Sequence, residues 1–269
     1  MLICLAVTCS GDVTARSLEV EDGSLVQWAL PDKLREISGL ALTTDERLLA
    51  VTDEEAIIYE LDYATGHLVK AFALGDPTIR GDFEGIAFLN GMVWLMTSDG
   101  ALFATREGAD GERVEYERYE TDLGDKCELE GLAEDASAGS LLLICKRAKK
   151  KLRVFEWTAD GANLREEDIK LPEKAMRKAI DSKHVNPSGL TIDTRTGNWL
   201  VVAAQQHALF ELSPDGDLID VILRLDEDRH RQAEGIAITG DGRLLIADEG
   251  GKGQARLAIY QTKTGNNNN

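Results

Sequence analysis

Apolar runs of four to six residues, set off by Gly- and Asp-containing turns, recur along the chain. Examples are Leu48-Leu49-Ala50-Val51, Ala56-Ile57-Ile58-Tyr59-Glu60-Leu61, Ala208-Leu209-Phe210-Glu211-Leu212 and Leu244-Leu245-Ile246-Ala247. Runs this short, bounded by turn residues, predict strands of antiparallel sheet rather than helices. One peptide punctuates them five times: Ile37-Ser38-Gly39-Leu40-Ala41, Phe83-Glu84-Gly85-Ile86-Ala87, Leu129-Glu130-Gly131-Leu132-Ala133, Pro187-Ser188-Gly189-Leu190-Thr191 and Ala233-Glu234-Gly235-Ile236-Ala237. Its glycines stand 46, 46, 58 and 46 residues apart. The long interval contains the stretch from Leu171 to Ile180, in which Pro172 suits a first helical turn and Met176 and Ile180 share a face. A short inserted helix near 172–181 is therefore expected.

A repeat of about 40 to 50 residues holding four strands is the signature of a propeller blade, which buries both faces of its sheet only against neighbours. After Gly235 there is room for three strands, ending near Tyr260. The missing outer strand resembles the segment from Gly23 to Leu30, which matches the fourth strand of the first unit, Gly66 to Leu74. The expected fold is all-β: a five-bladed propeller of four-stranded antiparallel blades over residues 21–264, its last blade closed by the N-terminal strand. A leader over 1–20 precedes it and a disordered tail over 265–269 follows.

The chain of 269 residues is 43% apolar, enough for a substantial core, and carries 48 acidic against 30 basic residues, a formal charge of −18. That charge repels polyanions, which excludes nucleic acid as a general partner and favours metal cations. No apolar run approaches the roughly 20 residues of a membrane-spanning helix. The leader reads as the end of a secretory hydrophobic region followed by Cys9, a candidate lipidation site, although no basic segment precedes it and Ala6 and Thr8 depart from a lipobox. The expectation is a monomer exported to the bacterial cell envelope, periplasmic or lipid-anchored. Cys127 and Cys145 face each other if the intervening hairpin turns over Asp135 to Gly139 and opposed residues sum to 272. They are then either a cross-strand disulfide formed in an oxidising compartment or two buried free thiols.

In a propeller the innermost strands start near the axis, so equivalent residues converge on one mouth of the channel. The position before each anchor glycine reads Ser38, Glu84, Glu130, Ser188 and Glu234. Two residues earlier stand Glu36, Asp82, Glu128, Asn186 and Gln232, all with side-chain oxygens. Buried carboxylates this close repel by several kcal/mol, about 4 at 4 Å and an effective dielectric near 20, unless one takes up a proton or a cation sits between them. Calcium accepts such all-oxygen donor sets, whereas zinc favours His or Cys, absent from the anchors. The candidate metal ligands are Glu84, Glu130 and Glu234, with Asp82, Glu128, Asn186, Ser38 and Ser188 secondary. The alternative is that the glutamates cap strand ends.

The Glu-Gly-Ile/Leu-Ala anchors and the Ala247-Asp248-Glu249 peptide resemble the SdiA-regulated (YjiK-like) family of calcium-binding β-propellers, distantly similar to NHL-repeat propellers. The resemblance covers roughly Leu18 to Thr262. It implies a five-bladed propeller with a bound calcium ion, membrane association and a role connected with calcium homeostasis. On the pattern of related lactonases it also implies Glu84, Glu130 and Glu234 as ligands; Ser38 and Ser188 depart from that pattern.

A basic run, with Lys146, Arg147, Lys149 and Lys150 at its start, is a candidate anion-binding lip for a phosphorylated molecule or a lipid headgroup, or else a solvated hairpin. Among the four histidines, His184 lies just before the fourth anchor and is the candidate general base. The leading functional expectation is a calcium-binding, binding or sensing module. A calcium-dependent hydrolase, phytase-like or lactonase, and a metal-independent interaction scaffold are the alternatives.

Overall fold

The computed structural model describes residues 17–21, 23–148 and 151–264. Cys9 and the rest of the leader up to residue 16, Lys149, Lys150 and the tail over 265–269 lie outside them, as does the side chain of Arg147. Among the described residues the fold is a five-bladed propeller of mostly antiparallel sheets, with one α-helix. The innermost strands are Ile37–Leu42, Phe83–Leu89, Cys127–Asp135, Gly189–Ile192 and Ala233–Ile238.

The apolar runs do not alternate because both faces of each sheet are covered. Leu48 and Ala50 point into the wedge between the fifth and first blades, while Leu49 and Val51 point into the wedge between the first and second. The core consists of five such wedges, one per interblade seam. Each fully buried Leu or Ile contributes about 1.5–3 kcal/mol by leaving water. The inserted helix, Glu173–Ile180, is capped by Pro172 and by Asp181 in the left-handed region, and it buries Met176 and Ile180 in the wedge between the third and fourth blades.

Closure of the ring is visible in two places. Val26–Ala29 pairs with the last strand, Arg256–Thr264, as the outer strand of the fifth blade. Leu18–Val20, grouped with the leader on sequence grounds, extends the same edge by pairing with Thr262 to Thr264. At the centre the anchor glycines touch in sequence around the axis. A Cβ on Gly85 would lie 2.6 Å from Leu132 Cβ, and one on Gly235 would lie 2.7 Å from Leu40 Cγ. Gly85→Ala should therefore destabilise the protein by about 2 kcal/mol through overpacking against main chain. Urea denaturation checks this, and a cost below about 0.5 kcal/mol would contradict the packing.

The third-blade hairpin differs from the expected register. Leu132 faces Leu143 and Asp135 faces Ser140, so opposed residues sum to 275 instead of 272. The hairpin is centred later in the sequence, with Ala136 to Gly139 as its loop, because Asp135 Oδ1 accepts the N–H groups of Ser137 and Ala138 and fixes the start of the turn there. Cys127 then faces Ala148, and Cys145 faces Leu129. A bulge between these pairs brings the two cysteines together diagonally, and a disulfide joins them with their Cα atoms 5.8 Å apart.

Candidate functional site

Four of the five innermost strands carry a β-bulge at the same place. Ile37 faces Thr52 but Gly39 faces Val51; Phe83 faces Thr97 but Gly85 faces Met96; the same shift occurs at Leu129/Gly131 and Ala233/Gly235. The extra residue is Ser38, Glu84, Glu130 or Glu234. A bulge breaks the two-residue alternation and re-aims a side chain, which is how these residues reach the axis although apolar neighbours fill the interblade wedges. In the fourth blade Ser188 precedes the strand proper, and its N–H donates to Val202 O.

The five positions divide between two adjoining cavities. Ser38, Glu84 and Glu234 line an axial cavity of about 10 Å³, room for about one water-sized atom. Glu130, Ser188 and again Glu234 line a larger cavity of about 200 Å³ between the third, fourth and fifth blades. The two serines differ in state. Ser188 Oγ donates to Ala233 O at 2.7 Å and accepts the N–H of Ala204 at 3.0 Å, stapling the fourth blade to the fifth. Ser38 Oγ is buried and, among the described residues, has no partner.

The carboxylates strain against one another. Burial, then the charges of Glu130, Glu234 and Asp82, push Glu84 up to about 9. Burial raises Glu130 to about 7, although Lys146 opposes the shift. Glu234 is also raised by burial, against a hydrogen bond from Gln232 Nε2 at 2.9 Å. Further out, burial and a hydrogen bond with Glu36 raise Glu249 to about 8, and burial with the charges of Glu36, Glu54 and Asp82 raises Asp53, whose Oδ1 has no partner among the described residues. These acids meet because the entry to each inner strand lies beside the exit of the second: Asp53 N–H donates to Glu36 O, Ser98 N–H to Asp82 O and Glu249 N–H to Gln232 O.

Lys146 occupies a different place from the anion-binding lip. Its Nζ donates to Glu130 Oε1 at 2.6 Å and lies 3.7 Å from Glu128 Oε1. Burial alone would lower its pKa, but the bond to Glu130 and the surrounding acids raise it. The protein thus supplies one cation of its own to the ring. Of the outer positions, Asp82 Oδ2 accepts from Ser98 Oγ at 2.5 Å, and Asn186 Nδ2 donates to Gln205 Oε1 at 2.7 Å. Among the described residues, no three His, Cys, Asp or Glu side chains stand close enough to hold a metal as they are. The chemistry of the donor set nevertheless fits a hard cation at the axial cavity: two carboxylates, an unpartnered hydroxyl and space for one atom.

His184 is exposed and lines neither cavity. The imidazole in the larger cavity is His207, whose left-handed backbone (φ 45°) closes the short helical turn Ala204–Gln206. His230 is buried, with Nδ1 2.7 Å from Asp248 Oδ2 and Nε2 2.6 Å from Tyr260 OH. Neither arrangement has a local sequence signature, because each joins side chains from separate strands.

Fold and site together define a closed propeller with a carboxylate-lined axial cavity at one mouth. The SdiA-regulated family matches residues 24–250, and the chain belongs to that family. No curated protein sequence matches it. Among solved structures it is similar to the glutaminyl cyclase of Myxococcus xanthus, with 15% identity over 93% of this chain and 98% of that one and a TM-score of 0.61. A luciferin-regenerating enzyme (10% identity, 91% and 95% covered, TM-score 0.53) and the PQQ-bound aldose sugar dehydrogenase of Streptomyces coelicolor (14%, 92% and 98%, 0.50) are also similar. At these identities the likeness is one of fold. Among the described residues no helix is long and apolar enough to cross a membrane.

Proposed function

We propose that the protein is an exported binding or sensing module of the bacterial cell envelope that holds a calcium ion in its axial cavity through Ser38, Glu84 and Glu234. Ser38 Oγ carries this reading: a buried hydroxyl without a partner, facing a one-atom cavity that two mutually repelling carboxylates also line. An unsatisfied buried hydroxyl costs about 1–3 kcal/mol, and crowded carboxylates add to that. A divalent cation offsets both, with water or main-chain oxygens completing its 6 to 8 ligands. Calcium would supply charge neutralisation and rigidity at the point where five blades meet. The buried disulfide supports an oxidising compartment.

Thermal melting at pH 7.5 in chelator and in excess calcium tests the reading. Calcium at about 100 times its dissociation constant adds roughly 2.7 kcal/mol, or about 5–11 °C for a chain of this size. Glu84→Gln should remove most of that difference. Superimposed melting curves with and without calcium would overturn the reading. A calcium-dependent hydrolase is the second reading, favoured by His207 in the adjoining cavity; it requires turnover of a phosphate ester or lactone.

A further inference from the structure

The larger cavity, about 200 Å³, is lined by two opposite charges that form no ion pair among the described residues. Glu130 and Lys146 cancel each other across 2.6 Å. Arg231 and Glu234 also line the cavity, yet among the described residues neither forms an ion pair; Glu234 receives only the neutral donor of Gln232. Around them the hydrogen-bonding groups have defined polarity. His207 Nδ1 lies 3.2 Å from the carbonyl of His230, which can only accept, so the neutral ring carries its proton there and keeps Nε2 as an acceptor. Asn186 donates one amide N–H to Gln205 Oε1, and its own Oδ1 is a second acceptor.

We propose that this pocket binds a small zwitterion of the α-amino-acid type. Its carboxylate pairs with Arg231, and its ammonium group pairs with Glu234 and the free acceptors of His207 and Asn186. A simple anion would leave Glu234 unneutralised and a simple cation would leave Arg231 so, whereas a dipolar molecule satisfies both with charge-assisted hydrogen bonds. The volume lies below the roughly 300–1,000 Å³ of sites for drug-sized ligands, which points to a single amino acid instead of a nucleotide or long peptide. This site shares Glu234 with the proposed calcium site, and titrating chelator-treated protein tests it apart from that reading.

Isothermal titration of chelator-treated protein with glycine, L-serine and L-asparagine tests the proposal, with N-acetyl-L-serine and L-serinamide as ligands lacking one charge each. The expected result is a dissociation constant of about 1 mM or tighter for at least one free amino acid. Both blocked serines should bind at least tenfold more weakly than L-serine. Arg231→Met should lose at least tenfold in affinity at unchanged melting temperature, since Arg231 is exposed, and Arg231→Lys should recover part of the loss. No binding of any free amino acid up to about 10 mM, equal binding of the blocked serines, or wild-type affinity in Arg231→Met would each overturn it.

Discussion

Raising the pH from 5.5 to 8 in the presence of chelator should cost the folded protein about 3 kcal/mol, because Glu84 is raised from an ordinary value of 4.5 to about 9. In the unfolded chain this carboxyl ionises above about pH 4.5. In the folded state it keeps its proton until about pH 9, so across that window the native state binds more protons than the unfolded one and stability falls as pH rises. A single such group gives a slope of about 1.4 kcal/mol per pH unit, and Glu130, raised to about 7, acts in the same direction over the lower part of the range. The melting midpoint should fall by about 6–12 °C between the two pH values. Glu84→Gln should flatten the dependence, and calcium should offset the loss increasingly toward pH 8, since a metal replaces the proton only at an ionised ligand. Midpoints that stay level or rise with pH in chelator would show that the axial carboxylates do not repel as described.

Lys146→Met should act oppositely on stability and on metal binding. Removing one partner of a buried ion pair typically costs 3–5 kcal/mol, but the Lys146 side chain is 33% exposed and Glu130 can take up a proton. About 2 kcal/mol at pH 8, shrinking toward zero at pH 5.5, is the expected loss. Calcium affinity should rise at least tenfold, because the charge on Nζ reaches the ligands Glu84 and Glu234 and repels a second cation there. Lys146→Arg, which keeps the charge, should leave affinity within a few-fold of wild type. Calcium titration of the three proteins decides this; lower affinity in Lys146→Met would mean that the ammonium helps to assemble the site.

The architecture was legible because its cause repeats. Every blade needs a residue without a side chain where neighbouring inner strands approach within contact of Cβ, so glycine returns at the period of the blade, and in four of the five blades the residue before it is displayed by the same bulge. What stayed hidden depends on register and reach. Lys146 reads as the first of a basic surface run, and only the bulged pairing of the third-blade hairpin shows it turning inward to Glu130. Ser38 and Ser188 are equivalent in the repeat, yet one hydroxyl is unpartnered and the other bonded to Ala233 and Ala204, a distinction made by backbone groups of adjoining strands. Arg231 and His207 share a cavity without a common motif, because separate blades supply them.

Leu18 pairs with Thr264, so the last seam of the ring is sewn between segments far apart in sequence. Until both are present the wedge between the fourth and fifth blades lacks part of its lining, including Leu18 and Tyr260. Contacts so remote in sequence carry a large loop-closure entropy, so ring closure is expected late in folding, as a clasp that fastens only after the blades it joins have formed.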